Sequence, residues 1–191
     1  MSCKCQELEE KVLLKVKRGE LAKEFDLLKI AKAGDVGLDV PVALPYVDGW
    51  NEKLHEYYKE CGDFDPDPVK VNEIKHGLII IRPGERVLLP TDIKLEIPEG
   101  YWVAVEARSS TSKRSLIVPK GVIDTGYRGE IFAQIINVGR EKVFVRHGDR
   151  LVQLILHKNE TDKLMIEEVD ELSASERGES GFGSSGKSAI R

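Results

Sequence analysis

Apolar residues recur along most of the chain in short runs, and turns rich in Gly, Pro and Asp separate one run from the next. The runs are Leu78–Ile81, Arg86–Leu89, Ile93–Ile97, Tyr101–Ala107, Leu116–Val118, Glu130–Asn137, Lys142–Val145 and Arg150–His157. Many short strands separated by Gly/Pro turns are typical of an all-β barrel or sandwich. The pattern therefore predicts an all-β domain.

Helical periodicity is confined to two stretches. One apolar face is formed by Trp50, Leu54, Tyr57, Tyr58 and Cys61. Their spacing predicts a helix from Asp48, a plausible N-cap, to Gly62. The second stretch, Glu7–Lys17, fits either a short helix or a charged lead-in to a strand.

Composition and charge narrow the classes of protein. Hydrophobic residues make up 41% of the 191 residues, enough for a packed core, and the net charge of −4 disfavours a nucleic-acid-binding surface. No apolar run reaches the roughly 18 residues of a membrane span, and the polar stretch Met1–Glu10 does not resemble a signal peptide. We therefore expect a cytoplasmic protein with no membrane partner. Three cysteines without a CxxC pair argue against a disulfide framework and a structural zinc site.

The composition changes after Glu171, where core-forming residues nearly disappear. This change predicts a domain over residues 1–171 and a flexible, Gly-rich arm over residues 172–191. Within the domain, residues 46–76 are acidic and partly helical in pattern, which marks them as an insertion between strands.

Five segments carry candidate chemistry, and each also has a plain structural interpretation. Ala33–Val40 places Asp39 on a strand that begins among glycines, although an edge strand after an ordinary turn has the same pattern. Arg108-Ser109-Ser110 combines a guanidinium with hydroxyls, which suits phosphate oxygens but also a polar loop.

The third segment, Gly121–Glu130, places Asp124 directly after the apolar pair Val122-Ile123. A partly sheltered carboxylate at a strand end suits a general base, and Tyr127 in the following turn can pack against a sugar. A hairpin with Asp in its turn explains the segment equally well. In the fourth segment, Gln153 lies in an otherwise apolar strand and needs either a backbone or a ligand partner.

The fifth segment is the glycine-rich part of the arm, Arg177–Gly186. Its glycines free backbone amides to bind an anion, and Arg177, Ser184 and Ser185 add charge-assisted hydrogen bonds. Phe182, beside Gly183, is free to stack on a base.

Together and in this order, the five segments resemble the five motifs of the homotrimeric dUTPase family (deoxyuridine triphosphate nucleotidohydrolases). The resemblance covers about Val12–Leu44 and Leu78–Gly186. It implies a jelly-roll-like β subunit, a homotrimer with three active sites shared between subunits, and an enzyme, a dUTP diphosphatase. The implied reaction is hydrolysis of dUTP to dUMP and pyrophosphate with Mg²⁺, which limits uracil in DNA and supplies dUMP for thymidylate synthesis.

The resemblance also implies roles for individual residues. Asp124 matches the aspartate that activates the attacking water, and Asp39 matches one that supports the metal region through water. The positions that match phosphate contacts are Arg108, Ser109, Gln153, Arg177, Ser184 and Ser185, and the resemblance adds Ser110 and Gly183 as further substrate-binding positions. Tyr127 matches the tyrosine beneath the deoxyribose, and Phe182 matches the aromatic that stacks on uracil. The resemblance implies that uracil is read, largely through backbone groups, by the hairpin around Ile117–Ile123, which includes Gly121 and Ile123.

Two other functions remain open at this stage. A dCTP deaminase, or a bifunctional deaminase–dUTPase, has a related fold, but that family uses a glutamate where this chain has Gln134, and it lacks the Arg177–Gly186 arm. The insertion at residues 46–76 is compatible with a surface ornament, a trimer contact or a site for another protein, and the last of these would support a regulatory role.

Overall fold

Short strands dominate the part of the chain that the computed structural model describes, which is residues 11–44, 76–176 and 178. The strands are β1 Lys15–Arg18, β2 Gly37–Pro41, β3 Leu78–Ile81, β4 Arg86–Glu96, β5 Tyr101–Ala107, β6 Leu116–Ile117, β7 Gly121–Ile123, β8 Glu130–Asn137, β9 Val143–Arg146 and β10 Arg150–Lys158. Helical structure in this part is limited to one turn of α-helix, α1 Ser109–Ser112, and two 3₁₀ turns, Ala22–Glu24 and Thr161–Lys163. The expected all-β, jelly-roll-like fold is confirmed.

The strands form three antiparallel sheets. The first has the order β1-β4-β8-β6, the second β2-β10-β5-β7, and the third pairs β3 with β9. The chain crosses from the first sheet to the second between β4 and β5, and back again between β7 and β8. Such crossings are typical of two sheets that pack over one core. The second sheet matters most below, because four of the five candidate segments lie on it or at its edges.

Alternating side chains from all three sheets build one hydrophobic core. In β8 every second residue is buried, from Ile131 to Asn137. Asn137 is the polar member of this row, and its Nδ2 donates to the carbonyls of Ile81 (2.9 Å) and Glu141 (2.8 Å). A buried amide with its hydrogen bonds made is tolerated in such a core, and here it ties β8 to β3.

Several strands predicted from the sequence are confirmed, since β3, β5 and β8 have the expected bounds. The prediction of a turn between Arg86–Leu89 and Ile93–Ile97 is wrong, because β4 continues through Pro90-Thr91-Asp92 as one strand. A bulge replaces the turn: the register with β8 shifts between Pro90 and Lys94.

Other expectations concern the ends of the chain and the insertion. Of the two alternatives for Glu7–Lys17, the described residues show the lead-in to a strand, with β1 starting at Lys15. The helix predicted over Asp48–Gly62 lies outside the described residues. The chain divides into two units, Met1–Asn159 and Glu160–Arg191, earlier than the boundary expected after Glu171. Among the described residues, no helix has the length and apolar character needed to cross a membrane.

Candidate active site

Asp39 lies between two arginines in the second sheet. Its Oδ1 is 2.5 Å from Nε of Arg108, and its Oδ2 is 3.4 Å from Nη1 of Arg150. The sheet creates this meeting, because Asp39 lies in the middle of β2, Arg150 begins the neighbouring β10, and Arg108 follows the end of β5. One carboxylate facing two guanidinium groups leaves a local excess of positive charge, which suits a bound anion.

The serines expected beside this charge are in place at the turn that follows β5. Ser109 and Ser110 are exposed in α1, and Arg108 Nη1 donates to Ser110 Oγ at 3.3 Å and to the carbonyl of Arg150 at 3.0 Å. The buried Thr111 anchors the turn, since its hydroxyl donates to the carbonyl of Leu151 at 2.6 Å. The guanidinium is therefore held from several sides before any ligand binds.

Gln153 joins the same cluster, since it is the cross-strand partner of Asp39. Its Nε2 donates to the main-chain carbonyl of Ala107 at 2.9 Å, so the backbone partner considered from the sequence exists. Its Oε1 lies over Gly37, where an added Cβ would come within 2.0 Å of that oxygen. Gly37 thus allows the amide to lie flat against β2, next to Asp39.

An open cavity of about 270 Å³ adjoins Asp39 and Arg150. Phe25, Leu28, Pro41 and Gly148 contribute to its walls. The Phe25 ring also packs on His147, with the ring centroids 4.6 Å apart. The arginine–aspartate cluster therefore borders an accessible recess.

Asp124 occupies the expected place at the end of β7, but its surroundings differ from the expectation. We expect a partly sheltered carboxylate from the sequence, and this is wrong for the described residues, in which Asp124 is exposed. The physical reason is that β7 is an edge strand that pairs only with β5 among the described strands. The backbone is nevertheless fixed, because Tyr127 N–H donates to the Asp124 carbonyl at 3.0 Å and Thr125 Oγ1 to the Tyr101 carbonyl at 2.6 Å.

Tyr127 stands in the turn after Asp124 with 42% of its surface exposed. Its hydroxyl donates to the carbonyl of Glu130 at 3.0 Å. The ring crosses Gly129, where an added Cβ would lie 2.4 Å from the hydroxyl oxygen. The turn therefore leaves part of an aromatic ring open to solvent close in the chain to Asp124, while Gly121 and Ile123 belong to β7, which pairs with β5.

The two halves of the candidate site lie at opposite ends of β5. Val103 is the partner of Ile123, the residue before Asp124, whereas Arg108 follows the other end of the strand. At 3.3 Å per residue, Arg108 and Asp124 are on the order of 15–20 Å apart along the sheet. One phosphate group cannot contact both within a single copy of the chain.

The donor set at Asp39 bears on the expected Mg²⁺. Among the described residues, no group of three or more His, Cys, Asp or Glu side chains could hold a metal ion. Both Asp39 oxygens already face arginines. Mg²⁺ keeps several waters and is commonly bound by few carboxylates together with substrate phosphates. The residues therefore fit an ion carried by phosphates, with Asp39 contributing through water.

Two residues of this region escape the sequence analysis. Arg150 is the second arginine on Asp39, and its place at the start of β10, beside the strand of Asp39, is the feature that points to it. Glu130 is the other, with a carboxyl that reaches the bulge of β4. Burial raises the pKa of Glu130 to about 7, and the charge of Asp92 adds to this effect, against hydrogen bonds from the backbone of Asp92 and Thr91.

The remaining predicted site residues, Arg177, Phe182, Gly183, Ser184 and Ser185, lie outside the described part of the chain. The structure thus brings Asp39, Arg108, Ser110 and Gln153 together and places Asp124 with Tyr127 elsewhere on the same sheet.

Comparisons with known proteins show the family of the chain. The family model for dUTPase matches residues 76–186. The deoxyuridine 5'-triphosphate nucleotidohydrolase of Caldanaerobacter subterraneus subsp. tengcongensis is 32% identical over 178 residues, which cover 92% of this chain and 98% of that protein. The enzyme of the same name from Desulfotalea psychrophila is 44% identical over 109 residues, which are 56% of this chain and 71% of that protein.

Solved structures show the same fold. A mutant of the dUTPase of Staphylococcus bacteriophage 80alpha, with dUpNHpp, superposes with a TM-score of 0.65 at 24% identity, and covers 92% of this chain and 99% of that one. A dUTPase from phage phi11 of S. aureus, described with a structural Mg(II) ion, gives a TM-score of 0.60 at 19% identity over 85% and 99% of the two chains. The family model, the relative matched over nearly its full length and the shared fold agree, and this chain belongs to the dUTPase family.

Proposed function

We propose that this protein hydrolyses dUTP to dUMP and pyrophosphate at sites that copies of the chain build together, as a homotrimer. The observation that carries the proposal is the separation of Arg108 from Asp124 across the length of β5. The phosphate-binding cluster and the candidate base lie on one sheet but are too far apart to serve one phosphate. They form a complete site when the cluster of one copy meets the base of another.

The arginine–aspartate cluster binds the triphosphate in this proposal. Arg108, already oriented by Asp39, offers its remaining N–H groups to phosphate oxygens, and Ser109 and Ser110 donate from α1. Gln153 extends the row of polar groups along β10. Mg²⁺ carried by the phosphates would supply charge stabilisation for the leaving pyrophosphate, and Asp39 would be the carboxylate that supports it, through water.

Asp124 holds and deprotonates the water that attacks the α-phosphorus. A carboxylate is a weak base in water, with an ordinary pKa of about 4. It can act here because cationic groups stabilise the charge that develops on the phosphoryl oxygens. Since Asp124 is exposed in one copy, its sheltered environment must come from the neighbouring copy and the nucleotide.

Tyr127 and the β6–β7 hairpin select the nucleoside. The exposed face of the Tyr127 ring packs beneath the deoxyribose and leaves no room for a 2′-hydroxyl. Uracil lies against the hairpin that contains Gly121 and Ile123 and is read by main-chain groups. Arg177, Phe182, Gly183, Ser184 and Ser185 of the C-terminal arm close over the phosphates and the base.

The cellular role that follows is removal of dUTP in the cytoplasm, which limits uracil in DNA and supplies dUMP for thymidylate synthesis. A further role for residues 46–76 in binding a protein partner remains a hypothesis from their acidic, partly helical sequence.

Product analysis tests the proposed reaction. Pyrophosphate and ammonia release are measured with dUTP, dCTP and dTTP, with Mg²⁺ and after chelation. We expect pyrophosphate from dUTP alone, with turnover that falls on removal of Mg²⁺. Ammonia from dCTP would instead show a deaminase, and equal turnover of dTTP would exclude a pocket without space for the thymine methyl.

A further inference from the structure

The turn that carries Tyr127 is closed at both ends by hydrogen bonds. Tyr127 N–H donates to the Asp124 carbonyl at 3.0 Å, and the Tyr127 hydroxyl donates to the Glu130 carbonyl at 3.0 Å. Gly129 lets the ring pass directly over the chain between them. The position of the ring therefore depends on where the main chain of Glu130 lies.

The side chain of Glu130 fixes that main chain to a different strand. Its Oε1 accepts hydrogen bonds from the N–H groups of Thr91 (3.1 Å) and Asp92 (2.8 Å) in β4. These two donors sit in the bulge, where the shifted register leaves the ladder between β4 and β8 interrupted. The carboxyl thus takes the place of the missing ladder bonds.

The bulge is a firm anchor because several groups hold it. Asp92 has a φ of 56°, and its Oδ2 accepts from the N–H groups of Leu21 (2.9 Å) and Ala22 (3.1 Å). Gly19 makes room for this side chain, since a Cβ there would lie 2.0 Å from Asp92 Oδ1. The hydroxyl of the fully buried Thr91 donates to the carbonyl of Ile131 at 2.6 Å.

We propose that Glu130 is a positioning residue for nucleotide selection: its carboxyl clamps the start of β8 to the β4 bulge, and its carbonyl thereby holds the Tyr127 ring at the distance that excludes a 2′-hydroxyl. The proposal rests on the function proposed above, in which the ring lies beneath the deoxyribose. Glu130 touches neither the nucleotide nor the reacting atoms and acts through Tyr127 alone.

The test compares kcat/KM for dUTP and for UTP in four single variants and one double variant. Glu130→Ala removes the clamp, whereas Glu130→Gln keeps an oxygen that accepts both N–H groups. Tyr127→Phe removes the held hydroxyl. Thr91→Val is the matched control, since it removes the buried hydrogen bond from the bulge to the carbonyl of Ile131 but keeps the Glu130 carboxyl and both of its main-chain N–H donors.

We expect Glu130→Ala to lower the dUTP/UTP ratio about tenfold, the scale of one lost hydrogen bond, with a raised KM for dUTP. Glu130→Gln should restore the ratio to within about threefold of the wild type, because it retains the acceptor. Combining Glu130→Ala with Tyr127→Phe should add little to either change, since both act on one contact. Thr91→Val should lower stability and leave the ratio unchanged.

Three results would overturn the proposal: an unchanged ratio in Glu130→Ala, an equal loss in Thr91→Val, or multiplicative effects of Glu130→Ala and Tyr127→Phe. Amide hydrogen exchange of the nucleotide-free protein separates this failure from failure of the proposed function. The clamp predicts faster exchange at the Tyr127 amide in Glu130→Ala than in Thr91→Val, whether or not the protein hydrolyses dUTP. Equal exchange in the two variants contradicts the clamp.

Discussion

Nε of Arg108 donates a hydrogen bond to Oδ1 of Asp39 at 2.5 Å. Asp39 lies in β2 and Arg108 follows β5, and in the sheet β10 separates these two strands. The bond uses the edge of the guanidinium and leaves N–H groups free for a ligand. It also turns the arginine into a fixed donor, whose orientation is set before the nucleotide arrives. The chemistry of the cluster therefore depends on the shape of the guanidinium as well as on its charge.

A lysine cannot reproduce this geometry. We expect Arg108→Lys to lower kcat/KM for dUTP by about 100-fold, because the ammonium loses the fork that binds Asp39 and phosphate together. Arg140→Lys, at an exposed turn, is the matched control and should leave kcat/KM unchanged. Steady-state kinetics at saturating Mg²⁺ make the measurement, and equal effects of the two substitutions contradict the assigned role.

The carboxylate of Asp124 makes a separate prediction. Asp124→Asn keeps the size of the side chain but cannot take a proton, so kcat should fall by about 10³-fold while KM changes little. Glu99→Gln, which removes a carboxylate from an exposed turn, should have no effect. Full turnover in Asp124→Asn would exclude Asp124 as the base.

Gly37 is expected to control the position of Gln153. In Gly37→Ala the new Cβ would lie 2.0 Å from Gln153 Oε1, so the amide must move away from the phosphate-binding cluster. We expect KM for dUTP to rise about tenfold, the scale of one polar contact. In Gly37→Ala combined with Gln153→Ala, the glycine substitution should have little further effect, because the clash with the amide is gone and only a tight 3.2 Å approach to the Cβ of residue 153 remains. Independent effects of the two substitutions on KM contradict this coupling.

The buried carboxyl of Glu130 predicts how stability depends on pH. Its pKa is raised to about 7 by burial, so the folded state binds this proton more tightly than the unfolded state does. The resulting stabilisation is complete below about pH 4.5 and is lost as pH rises through about 7, by on the order of 3 kcal/mol. Glu130→Gln has no ionisable carboxyl at this position, so its stability lacks this dependence on pH.

Urea unfolding of both proteins at pH 5 and pH 8 measures this linkage. The unfolding free energy of Glu130→Gln minus that of the wild type should be larger at pH 8 than at pH 5. Titration of all other groups contributes equally to the two proteins and cancels in this difference. An identical difference at both pH values contradicts the raised pKa.

The strands that could be predicted include those whose burial alternates locally, as in β3 and β8. The bulge in β4 could not, because its N–H groups are satisfied by Glu130, which lies 38 and 39 positions further along the chain. From Pro90-Thr91-Asp92 alone, a turn was the better prediction.

The same distinction applies to the site. Motif order identified Asp39, Arg108, Asp124 and Gln153 as candidates, but the contact between Asp39 and Arg108 joins residues 69 positions apart. Only the strand order β2-β10-β5 brings them together. The exposure of Asp124 likewise depends on β7 being an edge strand, which its own sequence does not reveal.

Mixing two inactive variants tests the shared site most directly. Arg108→Ala and Asp124→Asn subunits, each inactive alone, are unfolded, mixed in equal amounts and refolded, and each variant refolded by itself is the control. If one copy supplies Arg108 and another supplies Asp124, about one quarter of the sites in random mixtures contain both native residues. The account predicts that dUTP hydrolysis returns to roughly that fraction of the refolded wild type. A mixture that remains as inactive as its components would show that each site lies within one chain, and would contradict the account.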